Sequence, residues 1–189
     1  MIRIAVVGDI GSGKSHVAKK FGYPVFNADI EVSKLYKKSK KCYKKLKKNL
    51  PKYISKFPIE KKQLNKAIIE DRKNIKKIIK IVHPEIRIKM NQFMRKNKYK
   101  RAIVLDIPLY LENKLNKKND VLIFVDAKKK EINKRLRKRL NFNYEIYKTL
   151  KKFQLPLEKK KKKSTFIIKN NFKKSYTKKN IKKVLRQIL

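Results

Sequence analysis

Apolar residues fall along this chain in two patterns, short continuous runs and helically spaced stripes, and the two alternate. Residues 2–7 form an apolar run ending at Gly8, residues 102–105 a second ending at Asp106, and residues 121–125 a third ending at Asp126. Each reads as a buried parallel strand. Pro24-Val25-Phe26 predicts a further strand that ends at Asn27-Ala28-Asp29, and Phe166-Ile167-Ile168 a last one. Ser15–Phe21 reads as a helix, and residues 30–98 are mostly helical. Within them Leu64, Ala67, Ile68, Ile75, Ile78 and Ile79 keep helical spacing, with Asp71 breaking the stripe. Pro84 stands where a new helix would start, carrying Ile86, Met90 and Phe93 on one face. Pro51 and Pro58 mark loops. Residues 128–140 predict a helix with Ile132, Leu136 and Leu140 on one side, and residues 143–163 a helical stretch broken by Pro156. Ile181, Val184, Leu185 and Ile188 make a terminal amphipathic helix. Strands alternating with helices imply an α/β fold: a five-stranded parallel sheet with helices on both faces.

Charge complicates the picture less than its size suggests. Lys+Arg number 57 against 14 Asp+Glu, a formal net charge of +43. Only nine of those bases are arginine, the residue whose planar fork suits base edges and phosphates. The excess is lysine, accompanied by many Ile and Asn; all three have A/T-rich codons, so genome composition accounts for much of it. No nucleic-acid-binding signature accompanies the charge, and no specific nucleic-acid partner is expected. The run Lys159–Lys163 reads as a solvated face. One cysteine, Cys42, excludes an internal disulfide and suggests a reducing, cytoplasmic setting. The first residues read as a strand rather than a signal peptide, and no apolar run is long enough for a transmembrane helix, so no membrane partner is expected.

The most specific chemical signal is Gly8-Asp9-Ile10-Gly11-Ser12-Gly13-Lys14-Ser15, which matches G-x-x-x-x-G-K-[ST] between a predicted strand and a predicted helix. Glycines let backbone N–H groups curl around a phosphate, and the helix start adds favourable partial charge. Lys14 is expected to reach the β- and γ-phosphates of ATP, and the Ser15 hydroxyl to ligate Mg²⁺. A guanine-reading N-K-x-D is missing, since Asn116-Lys117-Lys118-Asn119 lacks the acid. A short chain with a long helical insert favours a small-molecule kinase with a lid.

Phosphoryl transfer to a hydroxyl needs an acid beside the nucleophile. Asp29 follows the second strand and reads as that base, with a helix N-cap as its alternative. Asp106 ends a strand as a Mg²⁺-holding acid would, or as a structural turn. Asp126 reads as an N-cap. His83 is a ligand contact or a satisfied polar residue. Arg135 and Arg139, four apart on a predicted helix, clamp the triphosphate, stack on the base or form a solvated face; Arg137 points elsewhere.

Taken together, the loop, Val25-Phe26-Asn27-Ala28-Asp29, Val82-His83-Pro84-Glu85-Ile86, Leu105-Asp106-Ile107-Pro108-Leu109-Tyr110-Leu111-Glu112, Arg135, Arg139, Gln154 and Phe166–Asn171 resemble the dephospho-CoA kinase family across nearly the whole chain. The resemblance implies ATP-dependent phosphorylation of the ribose 3′-hydroxyl of dephospho-CoA. It implies Asp29 as base, and His83, Pro108, Leu109 and Glu112 on the acceptor side. Arg135, Arg139 and Asn170 join loop residues Asp9 to Ser15 around ATP. The expected organisation is a nucleotide core of residues 1–29 and 99–189, a lid near 140–163, and a CoA-binding insert over 30–98, in a monomer or weak homo-oligomer. The chain departs from the family at Asp9, usually Gly, at Asn27, usually Asp, and at Tyr110, usually Leu. A carboxylate at Asp9 weakens phosphate binding unless it points away.

Overall fold

β1 (Ile2–Gly8) is the middle strand of a five-stranded sheet. Successive side chains of a strand point to opposite faces, and Ile4, Ala5, Val6 and Val7 are all buried, so both faces are covered. β3 (Ala102–Asp106) pairs along one side of it and β4 (Asp120–Asp126) along the other. β2 (Val25–Asn27) lies beyond β3, and β5 (Phe166–Lys169) beyond β4. The order is β2-β3-β1-β4-β5 with every pairing parallel. In such a sheet the chain leaves β1 towards one side and later returns to its other side. The carboxyl ends at that switch are where α/β proteins bind ligands.

The structure is a computed structural model that describes every residue except Asn141, and the backbone alone of Lys174. Asn141 falls in the segment expected as a lid and lies outside the described residues. One face of the sheet, through Ile4, Val6, Val104, Ile123, Val125 and Ile168, packs on two helices. These are α1 (Lys14–Lys20), with Val17 and Ala18, and α9 (Lys174–Ile188), with Ile181 and Val184. α8 (Leu157–Lys162) also packs against β1.

The chain divides into two compact units. The sheet unit comprises Met1–Asn27, Lys96–Phe142 and Lys151–Leu189, and includes α6 (Lys129–Arg137). The helical unit comprises Ala28–Arg95 and Asn143–Leu150. It holds α2 (Ala28–Lys38), α3 (Lys40–Asn49), α4 (Lys61–Glu70), α5 (Asn74–Lys96) up to Arg95, and most of α7 (Tyr144–Lys152).

Pro84 does not open a helix, contrary to expectation: α5 runs through it. A mid-helix proline costs about 3 kcal/mol. The helix continues because Ile75, Ile78, Val82, Ile86 and Met90 bury one uninterrupted stripe. The break comes earlier, at Asp71, whose carboxylate accepts the Lys73 N–H at 2.8 Å. The buried Asn74 amide then donates to the Ala67 carbonyl at 2.9 Å, satisfying an end group of α4.

The helix expected over 128–140 stops at Arg137. The Arg139 N–H bonds the Leu136 carbonyl at 3.1 Å in a tightened final turn. Arg139 therefore does not share a helix face with Arg135, and Leu140 is fully exposed while Ile132 and Leu136 are buried. Asp126 is not the N-cap of α6; Lys128 holds that position. Asp126 ends β4, and its carbonyl accepts the Asn170 N–H at 2.6 Å.

Candidate active site

The segment between β1 and α1 is a loop whose shape is set by its glycines and by what leans on them. Gly11 and Gly13 have φ of 84° and 93°, a region L side chains rarely adopt. Each also sits under a neighbour. A Cβ on Gly11 would lie 3.0 Å from Ile132 and 3.1 Å from Leu136, and one on Gly13 would collide with the Asn170 amide. The apolar side of α6 and the turn after β5 therefore close on the loop because glycine leaves room for them.

Between those glycines Ser12 is fully buried, and its hydroxyl has no hydrogen-bond partner. Its carbonyl accepts the Asn170 Nδ2 at 2.8 Å. Asn170 Oδ1 in turn accepts the Phe172 N–H at 3.0 Å and the Thr177 hydroxyl at 3.2 Å. With only 3% of its surface exposed, Asn170 is a buttress of the loop. Phe172 adopts a positive φ of 63°, and the Arg135 guanidinium stacks 4.4 Å from its ring centroid. Neither Phe172 nor Thr177 stood out in the sequence, because nothing local links them to a loop far upstream.

Lys14 Nζ donates to the Asp9 carbonyl at 2.7 Å, and that carbonyl also accepts the Ser12 N–H at 3.2 Å. The Asp9 carboxylate accepts the Ile10 N–H at 2.7 Å and pairs with Lys151. Ser15 lies exposed in the first turn of α1. Asp106, at the end of β3, is buried and accepts the amide of Asn27, its register partner at the end of β2. Asn27 and Asp106 thus share a hydrogen bond where two acids would repel. Among the described residues no group of three or more His, Cys, Asp or Glu side chains is placed to hold a metal.

Glu112 lies in the turns that follow β3 and is nearly buried. It accepts Lys160 Nζ at 2.7 Å and the Leu155 N–H at 3.0 Å. Lys160, from the run expected to be solvated, is itself buried. Pro108 and Leu109 open the same turns and are half-buried. Arg139 is exposed beyond α6. Tyr110 is buried, and its hydroxyl donates to Asp120 at 2.6 Å and accepts Arg3 at 2.7 Å.

In the helical unit Asp29 is an exposed acid in the first turn of α2. It stands two residues beyond the last residue of β2. His83 is half-buried within α5; burial first, and then the Arg87 charge one turn on, hold its pKa below the usual histidine value. Burial also pushes the Cys42 thiol up to about 11, so it stays protonated at neutral pH.

A parallel sheet with β1 at its centre and a G-x-x-x-x-G-K-S loop leading into α1 defines a P-loop kinase-type nucleotide-binding protein. Within that class the chain belongs to the dephospho-CoA kinase family, whose model matches residues 2–175. It is 33% identical over 187 residues to the dephospho-CoA kinase of Wolbachia pipientis wMel, covering 96% of this chain and 95% of that protein. It is 32% identical over 193 residues to that of Bacillus thuringiensis, covering 97% and 96%. The solved dephospho-CoA kinase from Campylobacter jejuni matches with a TM-score of 0.64 over 98% of this chain and 96% of that one; at 24% identity this speaks for the fold.

Proposed function

We propose that this chain transfers the γ-phosphoryl group of ATP to the 3′-hydroxyl of dephospho-CoA, releasing CoA and ADP. The observation that carries the proposal is the phosphate loop at the switch point of the parallel sheet, in a chain whose family membership spans nearly its full length. Loop residues Asp9 to Ser15 hold the triphosphate, with the Lys14 ammonium on the β- and γ-phosphates. Arg135 and Arg139 add positive charge on the ATP side, and Asn170 keeps the loop in shape. Asp29 accepts the proton of the attacking 3′-oxygen while ADP leaves from the opposite side of phosphorus. The helical unit, with His83, and the turns carrying Pro108, Leu109 and Glu112 serve the acceptor.

Magnesium fits the donors present. Ser15 offers a hydroxyl and Asp106 a carboxylate, and Mg²⁺ commonly takes one or two protein oxygens and fills its shell with water and phosphate. When bound it would neutralise charge between the β- and γ-phosphates. No helix among the described residues is long and apolar enough to cross a membrane. A cytoplasmic location belongs to the proposal and rests on a single thiol, Cys42, which has no partner cysteine in the sequence.

The test is ADP release with ATP and magnesium in the presence of dephospho-CoA, with CoA detected by mass. Turnover that requires dephospho-CoA and vanishes in Lys14→Ala supports the reaction and its loop. Turnover on AMP, CMP, a nucleoside or shikimate instead would overturn the acceptor. Asp29→Asn is expected to lower kcat by about 10²–10⁴-fold with little change in KM for ATP; near-wild-type turnover would remove Asp29 from the base role.

A further inference from the structure

A carboxylate inside a phosphate loop is a chemical contradiction. Asp9 follows Gly8 directly, five residues before Lys14, and its negative charge opposes the anion that such a loop exists to bind. It also takes up a loop donor, because its Oδ1 accepts the Ile10 N–H at 2.7 Å. The side chain is largely withdrawn from solvent, 14% exposed, so water screens it weakly. Its partner is Lys151, in the last turn of α7, whose ammonium contacts the same Oδ1. The Asp9 carbonyl meanwhile accepts both Lys14 Nζ and the Ser12 N–H, so a change in Asp9 is felt at the lysine that serves the phosphates.

We propose that Lys151 is a positioning residue for ATP binding: it neutralises Asp9 and holds that carboxylate on the Ile10 side of the loop, leaving the loop receptive to a polyphosphate. The inference rests on the loop's assignment to ATP. Lys151 acts through Asp9, not on the nucleotide, and this separates it from an ordinary phosphate-binding lysine. Removing Lys151 leaves a poorly screened negative charge in the loop and releases Asp9 to turn towards the phosphates. The cost falls on binding in the ground state and transition state alike, hence on KM rather than kcat.

The double-mutant cycle of Asp9 and Lys151 decides the matter, read by calorimetric titration with ATP·Mg²⁺ and by steady-state kinetics. Lys151→Met is expected to raise Kd and KM for ATP about tenfold, with kcat within about twofold, the scale of one lost charge-assisted contact. Lys151→Arg retains most of the affinity. Asp9→Gly/Lys151→Met recovers most of what Lys151→Met loses, because the charge needing neutralisation is gone. A double variant as weak as Lys151→Met would overturn the inference, since Lys151 would then be acting on the nucleotide itself. ATP affinity unchanged in Lys151→Met would overturn it too. A wild-type chain that binds no ATP would overturn the assignment of the loop and this inference with it, whereas the other two failures leave that assignment standing.

Discussion

The phosphate loop and the helical unit solve opposite problems. In the loop, backbone conformation comes first, and side chains are recruited to hold it: Asn170 on the Ser12 carbonyl, Ile132 and Leu136 against Gly11, Lys14 on the Asp9 carbonyl. Two of its polar contacts come from distant points of the chain, Asn170 on the Ser12 carbonyl and Lys151 on the Asp9 carboxylate. In the helical unit apolar stripes come first, and charged groups are left at the surface. Ion pairs such as Lys52 with Glu70 and Lys62 with Glu60 lie at its surface. Asp29, the acid proposed as base, stands in the open. Single polar contacts should therefore matter greatly around the loop, and surface ion pairs little in the helical unit.

The largest contrast expected is between two lysines. Lys160 and Glu112 form a buried pair in the sheet unit, with side chains 2% and 10% exposed. Lys160→Ala leaves the Glu112 charge buried without its cation, and a loss of about 3–5 kcal/mol in urea unfolding is expected. Lys52→Ala, removing an equally short but exposed pair in the helical unit, should leave the urea midpoint unchanged. Similar losses for the two would break the comparison.

A smaller effect is expected at Asn170, where Ala would strand the Ser12 carbonyl and the Phe172 N–H, while the Thr177 hydroxyl keeps its bond to the Lys173 carbonyl at 3.1 Å. A destabilisation of about 1–3 kcal/mol should accompany weaker ATP binding, because the loop loses its buttress. If stability falls and ATP affinity, measured well below the unfolding transition, is unchanged, Asn170 supports the fold alone.

The same contrast sets which features of the fold are legible in the sequence. Short apolar runs mark all five strands within a residue or two, most plainly β1, β3 and β4, because a strand buried on both faces has little freedom in composition. The loop was legible because its chemistry needs glycines and a lysine at fixed spacing. Helix boundaries were less so. Pro84 carried a local signal for a start, overridden by the stripe on either side of it, and the end of α6 at Arg137 depends on a turn with no marker residue. The long-range lysine pairs are not legible in this way: in the sequence Lys151 and Lys160 read as two more members of a lysine-rich surface, and only the fold brings them to Asp9 and Glu112.

The smallest effect tests the helical unit by pH. His83 is half-buried in α5, and burial together with Arg87 lowers its pKa in the folded chain. In the unfolded chain it returns to the ordinary value of about 6.5. Between the two values the unfolded state binds more protons, so stability rises with pH there and is lost as pH falls through the unfolded value. Above that value the imidazole is neutral in both states and contributes no slope. Urea midpoints at pH 5.5 and 7.5 should therefore differ more for the wild type than for His83→Gln, which cannot take up the proton. An equal drop in both would mean that acid acts through the carboxylates, and that the helical unit holds its one half-buried histidine at no cost to stability.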